Sequence, residues 1–322
     1  MEKARNLIFL GLLILLFVEV LIVFPSRLGR KADPVPVPAT NSNEVTGPAE
    51  QQMRGIHLLE SQRGARDWEL FSEQANGNQD RGNWSLRKVK VLFYSKENAE
   101  FTVTGDEGDI DNKTKDMSIR GHVTTTSVNG YVFTTESVHY DAQKRRISSP
   151  SKVDMQGPPD QDGAGMHVTG TTMDVDVEES RMVIPKDVRA NKPLSGRRQM
   201  SLQSNRAEFS GQSQEVRFVG DVQMEYDRIK LEGPEAAFLK AGKGDFLSNI
   251  RFSGGVKVSD DDKFATSENL DLDLVENKIV FRGQPKVYQG KDELSGEQII
   301  FLDGGKKVKV EKVRAQMEKN SP

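Results

Sequence analysis

The 322-residue sequence predicts an all-β protein: an antiparallel, up-and-down sheet of about sixteen strands folded over on itself, preceded by one transmembrane helix. Three observations predict it. An eight-residue pattern recurs along most of the chain, a glycine-centred element with turn residues on both sides lies between its copies, and one long apolar run stands near the start.

The apolar run comes first. Residues 7–24 (LIFLGLLILLFVEVLIVF) are interrupted only by Glu19. Eighteen residues at about 1.5 Å each span roughly 27 Å, close to the thickness of a bilayer's hydrocarbon. A cleaved signal peptide has a shorter apolar stretch followed by small residues. Here Phe24-Pro25-Ser26-Arg27 follows, so residues 1–24 read as an uncleaved anchor. Lys3 and Arg5 before the run and Arg27, Arg30 and Lys31 after it leave its orientation open. Glu19 is costly at membrane depth and reads either as a contact to a partner's transmembrane helix or as a group reaching toward the interface. Residues 25–54 read as a linker, because Pro34, Pro36, Pro38 and Pro48 favour extended chain and the polar residues around them cannot bury a core.

The repeat occupies the rest. It runs apolar, any, Gly/Ser/Thr, polar, polar, apolar, any, apolar, and begins at Leu70, Val103, Phe133, Val168, Leu202, Leu231, Ala265 and Leu294. The intervals are 33, 30, 35, 34, 29, 34 and 29 residues. The Leu70 copy lacks the two final apolar residues. Between the copies stands φ-x-G-x-V or a relative of it, as in RFVGDV at Arg217, RFSGGV at Arg251 and FRGQPKV at Phe281. Asn129-Gly130, Tyr226-Asp227 and Gln289-Gly290 supply turns at one end, and Gly211-Gln212 and Asp303-Gly304-Gly305 at the other. Eight units of two strands give the sixteen.

Side chains on one face of a strand recur at even spacing. Within the eight-residue pattern that parity switches at the small residue. Tyr131 and Phe133 are followed by Val138 and Tyr140, and Met166 and Val168 by Met173 and Val175. Likewise Leu202 is followed by Phe209, and Ile229 and Leu231 by Phe238. A bulge or sharp bend at the small residue produces such a switch. The Gly-x-Val strands keep their parity and are expected to bend at glycine without an inserted residue. The folded sheet then has a continuous apolar inner face. Its candidate lining residues are those named, together with Leu270, Leu272, Ile299 and Phe301. Such a face fits either a packed core or a trough with room for acyl chains.

Composition excludes much else. With 45 basic against 48 acidic residues the net charge is −3, which offers no field for nucleic acid. The absence of cysteine removes disulfide scaffolds, thiol catalysis and iron–sulfur clusters. His122 and His139 lie on neighbouring predicted strands but lack a third ligand, so no metal is expected. Asp160-Gln161-Asp162-Gly163 starts like a calcium loop without the distal glutamate and reads as a turn. Gly242-Lys243-Gly244 lacks the rest of a phosphate loop. No catalytic residue and no cofactor are expected. A sugar-active β-helix enzyme would need aromatic platforms and clustered carboxylates, and a packed scaffold stays open.

Taken together, the anchor, Trp68-Glu69-Leu70 with Ser72-Glu73-Gln74-Ala75, and the repeated T-[GS]-x-x-φ-x-φ and φ-x-G-D-V motifs resemble the lipopolysaccharide-transport bridge proteins of Gram-negative envelopes. Residues 55–197 look like LptC, their inner-membrane-anchored component. Residues 198–322 look like LptA, the soluble OstA-like component. The family commonly has these as two proteins, whereas here they stand fused. The resemblance implies a β-jellyroll trough that carries the acyl chains of lipopolysaccharide. It implies a single-pass inner-membrane protein with its bulk in the periplasm. The implied partners are the inner-membrane lipopolysaccharide ABC transporter and an outer-membrane or soluble periplasmic Lpt component, joined through the terminal strand edges.

Overall fold

A computed structural model describes residues 51–316 apart from 63, 79–81, 96, 161–162, 195–198, 214, 241–246, 262, 303–306 and 313. The apolar run, Glu19, the linker up to residue 50 and the Gly242–Gly244 segment lie outside the described residues. Among those described, no helix is long and apolar enough to cross a membrane.

The sheet is wholly antiparallel. Its first six strands are long: β1 (Gln51–Gln62), β2 (Ala65–Asn78), β3 (Asn83–Ser95), β4 (Asn98–Asp111), β5 (Met117–Ser127) and β6 (Val132–Asp141). Then come pairs of short strands: β7 (Arg146–Ser149) with β8 (Val153–Gln156), β9 (His167–Gly170) with β10 (Met173–Asp176), β11 (Arg181–Ile184) with β12 (Val188–Pro193), and β13 (Gln199–Ser204) with β14 (Arg206–Ser210). Four more long strands follow: β15 (Glu215–Tyr226), β16 (Ile229–Lys240), β17 (Leu247–Asp260) and β18 (Lys263–Asp273). The last pairs are β19 (Lys278–Arg282) with β20 (Lys286–Gln289), β21 (Asp292–Ser295) with β22 (Gln298–Leu302), and β23 (Lys307–Glu311) with β24 (Arg314–Gln316).

Each short pair is one long strand broken at a corner. Counted so, the 24 segments among the described residues make 17 full strands, one more than the repeat alone implies. Register shows the fold-over: the first half of β6 pairs with β8 and its second half with β7, and the split continues through every later strand. The sheet therefore has two leaves. One contains β8, β9, β12, β13, β20, β21 and β24. The other contains β7, β10, β11, β14, β19, β22 and β23. Long strands cross from one to the other. β12 and β13 pair from Pro193↔Gln199 to Val188↔Ser204, so the sheet runs unbroken through the middle of the chain.

The corners correct one expectation. The inserted residue sits in the Gly-x-Val strands. Val219 pairs with Glu235 and Val222 with Gly233, three steps on β15 against two on β16. The same mismatch occurs between Arg120 and Val123 on β5 and between Ser253 and Val256 on β17. Two consecutive left-handed residues form each insertion: Gly121-His122 (φ 75° and 46°), Gly220-Asp221 (82° and 47°) and Gly254-Gly255 (88° and 102°). Glycine adopts that conformation without penalty, and Asp and His are among the residues that tolerate it best. The extra residue restores an alternation that the corner inverts, which is why these strands keep parity in sequence.

In the partner strands a serine or glycine at the corner has one of two jobs. Where it is serine, the hydroxyl donates to the carbonyl two residues on: Ser72 to Gln74 at 2.8 Å, Ser204 to Arg206 at 3.0 Å and Ser267 to Asn269 at 2.9 Å. Each bond spans the corner within one strand. Where it is glycine, space is the reason: a Cβ on Gly105 would meet Ile119 at 2.4 Å, and one on Gly170 would meet Ile184 at 2.2 Å.

Candidate functional site

The site is the space between the leaves. Thirteen of the seventeen candidate lining residues are buried there: Phe133, Val138, Tyr140, Val168, Met173, Val175, Leu202, Phe209, Leu231, Phe238, Leu270, Leu272 and Ile299. Tyr131, Met166, Ile229 and Phe301 are half-buried and pack against them. All seventeen belong to one apolar cluster. Its width, however, is not uniform.

In the first part, from β2 to β14, the leaves are closed. Phe209 meets Tyr131 and Phe133 of the opposite leaf edge-on at 5.7 Å, and Phe93 meets Tyr140 at 4.6 Å. The gap remaining around Tyr131, Phe133 and Phe209 is about 20 Å³. Polar contacts join the lips. Arg145 Nε lies 2.8 Å from Asp67 Oδ1, the Tyr140 hydroxyl donates to Asp67 at 3.3 Å, and the Arg145 guanidinium donates to the Tyr94 carbonyl. Ser95 donates to the Glu178 carbonyl at 3.1 Å and Asn129 to the Gly211 carbonyl at 3.1 Å. Burial pushes the Asp67 carboxyl above the ordinary carboxylate value, and the Arg145 charge pulls it back. Burial likewise pushes the Tyr140 phenol well above its ordinary value, with the neighbouring Asp67 charge adding to the effect.

Toward the end of the sheet the leaves part. A cleft of about 380 Å³ opens, lined by Tyr226, Ile229, Leu272, Ile279, Phe281, Val287 and Phe301, with Arg228, Asp260, Lys263 and Phe264 at its rim. That volume falls in the usual range for small-molecule sites. The aromatics here pair within a leaf: Phe281 contacts Phe301 at 5.7 Å and Phe264 stacks on Tyr288 at 6.2 Å. Ile229, Leu272 and Phe301 were in the candidate set. Tyr226, Ile279, Phe281 and Val287 were not, although the alternation of the Gly-x-Val strands, Ile279 and Phe281 before Gly283, carried the signal.

His122 is exposed and lies 2.6 Å from Asp106, and His139 bonds Ser118 at 3.2 Å. Among the described residues no cluster of three or more His, Asp or Glu can hold a metal ion. Asp160 and Gly163 exchange backbone hydrogen bonds of 2.9 and 3.0 Å.

Residues 13–193, more than half of the chain, match the family model for lipopolysaccharide assembly, LptC-related. The chain belongs to the LptC-related family. Beyond the region matching LptC, residues 201–315 match the model of the LptA/LptD N-terminal-domain lipopolysaccharide transport proteins, so an LptC-like and an LptA-like region are fused. Both family descriptions are of assembly and transport, not of catalysis. No curated protein matches. Among solved structures, LptH of Pseudomonas aeruginosa, the LptA-homologous periplasmic component of its lipopolysaccharide transport device, is similar at 16 % identity and a TM-score of 0.34, over 37 % of this chain and 95 % of that one.

Proposed function

We propose that this LptC-related protein is an inner-membrane-anchored periplasmic bridge that carries the acyl chains of lipopolysaccharide along its apolar inner face. Residues 7–24 act as a single transmembrane helix, with Glu19 contacting a partner helix. Residues 55–197 and 198–322 act as two successive modules, the first receiving lipid from the inner-membrane ABC transporter and the second delivering it toward the outer membrane. No bond chemistry is needed. Moving acyl chains through water costs about 0.8 kcal/mol per CH₂, and a continuous apolar face removes most of that.

The observation that carries this reading is the cleft at Tyr226, Ile229, Leu272 and Phe301, an apolar opening in line with the buried face of the whole sheet. The free edges fit the partners. Among the described residues β1 pairs only with β2, and β23 and β24 pair only with β22 and β21, so both ends can extend by strand addition. Met53, Leu58 and Leu59 on β1 are exposed large apolar residues that an added strand can cover. A packed scaffold draws support from the closed part, where Phe133 is 1 % exposed.

Photo-crosslinking in cells separates the two. A photoreactive residue at Phe209 or Phe238 should capture lipopolysaccharide, while one at the outward-facing neighbours Glu208 or Ala237 should not. Folded protein that gives no adduct at either phenylalanine would favour the scaffold, and adducts confined to the outward positions would reverse the assignment of the faces.

A further inference from the structure

Among the described residues, Lys192 is a fully buried cation on the apolar inner face. β12 alternates strictly, with Val188, Ala190 and Lys192 buried and Arg189, Asn191 and Pro193 exposed. Lys192 therefore shares the inner face with the lining residues, at the end of the strand farthest from the corner and so at the lip. Its ammonium is 2.7 Å from the Asp160 carboxylate, and the two side chains are 2 % and 6 % exposed. Asp160 comes from the connection between β8 and β9.

A buried ion pair contributes little that two apolar residues of similar volume would not, because both charges must be desolvated. Stability alone does not account for this one. Its position does. Lys192 pairs in register with Met200, and Met200 with Tyr226, which lines the open cleft. Two strand spacings of about 4.8 Å put the lysine roughly 10 Å from that residue along the same lip. An amphiphile whose chains enter between the leaves keeps its headgroup at the lip, within reach of this row. There an ammonium is a point charge suited to phosphate, and a phosphate offers more acceptor oxygens than the carboxylate now beside it.

We infer that Lys192 is an anchor for the anionic headgroup of the lipid cargo, with the Asp160 carboxylate occupying the anion's position until cargo arrives. This rests on the trough reading above. It assigns the recognised chemistry, a phosphate carried on a lipid.

The test compares the full-length wild type with the double variant Lys192→Met/Asp160→Asn, which removes both charges of this pair and whose fold is checked by thermal unfolding. Each carries the photoreactive residue at Phe238 and is offered lipid A or enzymatically dephosphorylated lipid A. The wild type should capture the phosphorylated form about tenfold better, the size of one charge-assisted hydrogen bond, and the folded double variant should capture both equally. Equal capture of both lipids by the wild type, or an unchanged preference in the double variant, overturns the anchor while leaving the trough intact. Capture of neither lipid by either protein overturns the trough and the anchor together. If inorganic phosphate alone raises the unfolding temperature of the wild type and not of the double variant, and no lipid preference is seen, the site is for a free anion and the headgroup assignment falls.

Discussion

The strands before β15 and those after it carry the same repeat, the same corner chemistry and inner faces of similar residues, yet they enclose different spaces. In the earlier part aromatic rings from opposite leaves touch, Phe209 against Tyr131 and Phe133, and a set of polar contacts around Asp67, Arg145, Tyr94 and Asn129 joins the lips. In the later part Phe281 and Phe301 contact each other along one leaf, and a cleft of about 380 Å³ separates them from Tyr226 and Ile229. A folded sheet thus closes where its rings cross the gap and opens where they pair sideways. Closure follows which rings meet.

The largest effect expected from this difference is on aromatic truncation. Phe133→Ala removes a cross-leaf ring and should cost about 3–5 kcal/mol, whereas Phe264→Ala at the rim, 40 % exposed, should stay within about 1 kcal/mol. Chemical denaturation measures both, and equal losses would break the comparison. Next comes the corner glycine. Gly170→Ala, with Ile184 at 2.2 Å and the Lys186 carbonyl at 3.0 Å, should cost about 1–3 kcal/mol. The equivalent Gly233→Ala meets its nearest atom, on Phe252, at 3.3 Å and should cost distinctly less. If calorimetry finds the two equally costly, the corners are alike in tightness and only the lips differ. Ser204→Ala should lose about 1 kcal/mol, the worth of its bond to the Arg206 carbonyl, and a neutral result would leave the serine copies unexplained.

The smallest effect concerns the outer surface. Hydrogen bonds from His122 and then Lys88 hold the Asp106 carboxyl down to about 2. Because its folded value lies below the ordinary 3.8, its contribution is present above that pH and lost as pH falls from 3.8 toward about 2. An acid titration of Asp106→Asn should therefore fall less steeply than wild type across that window, and superimposable curves would show that the contact adds nothing.

Much of the fold was legible in sequence because strand alternation is local. Phe133 with Val138, and Leu231 with Phe238, disclose both the inner face and the corner, since a switch of parity needs no knowledge of the partner strand. The inserted residue was misplaced for the same reason: an insertion is defined by two strands, and parity reads one. Gly121-His122 and Gly220-Asp221 keep their own alternation while changing the register with their neighbours.

The sequence by itself determined the repeat, the antiparallel order and the apolar stripe, because hydrophobic period and turn residues act within a few positions of the chain. Only the tertiary structure decided where the leaves meet and where they part. That depends on pairs such as Asp67 with Arg145, Asn129 with Gly211 and Phe133 with Phe209, each separated by more than 70 residues and made only when both leaves exist. It also decided the fate of Lys192, which alternation places on the inner face but which only a carboxylate 32 residues away makes tolerable there.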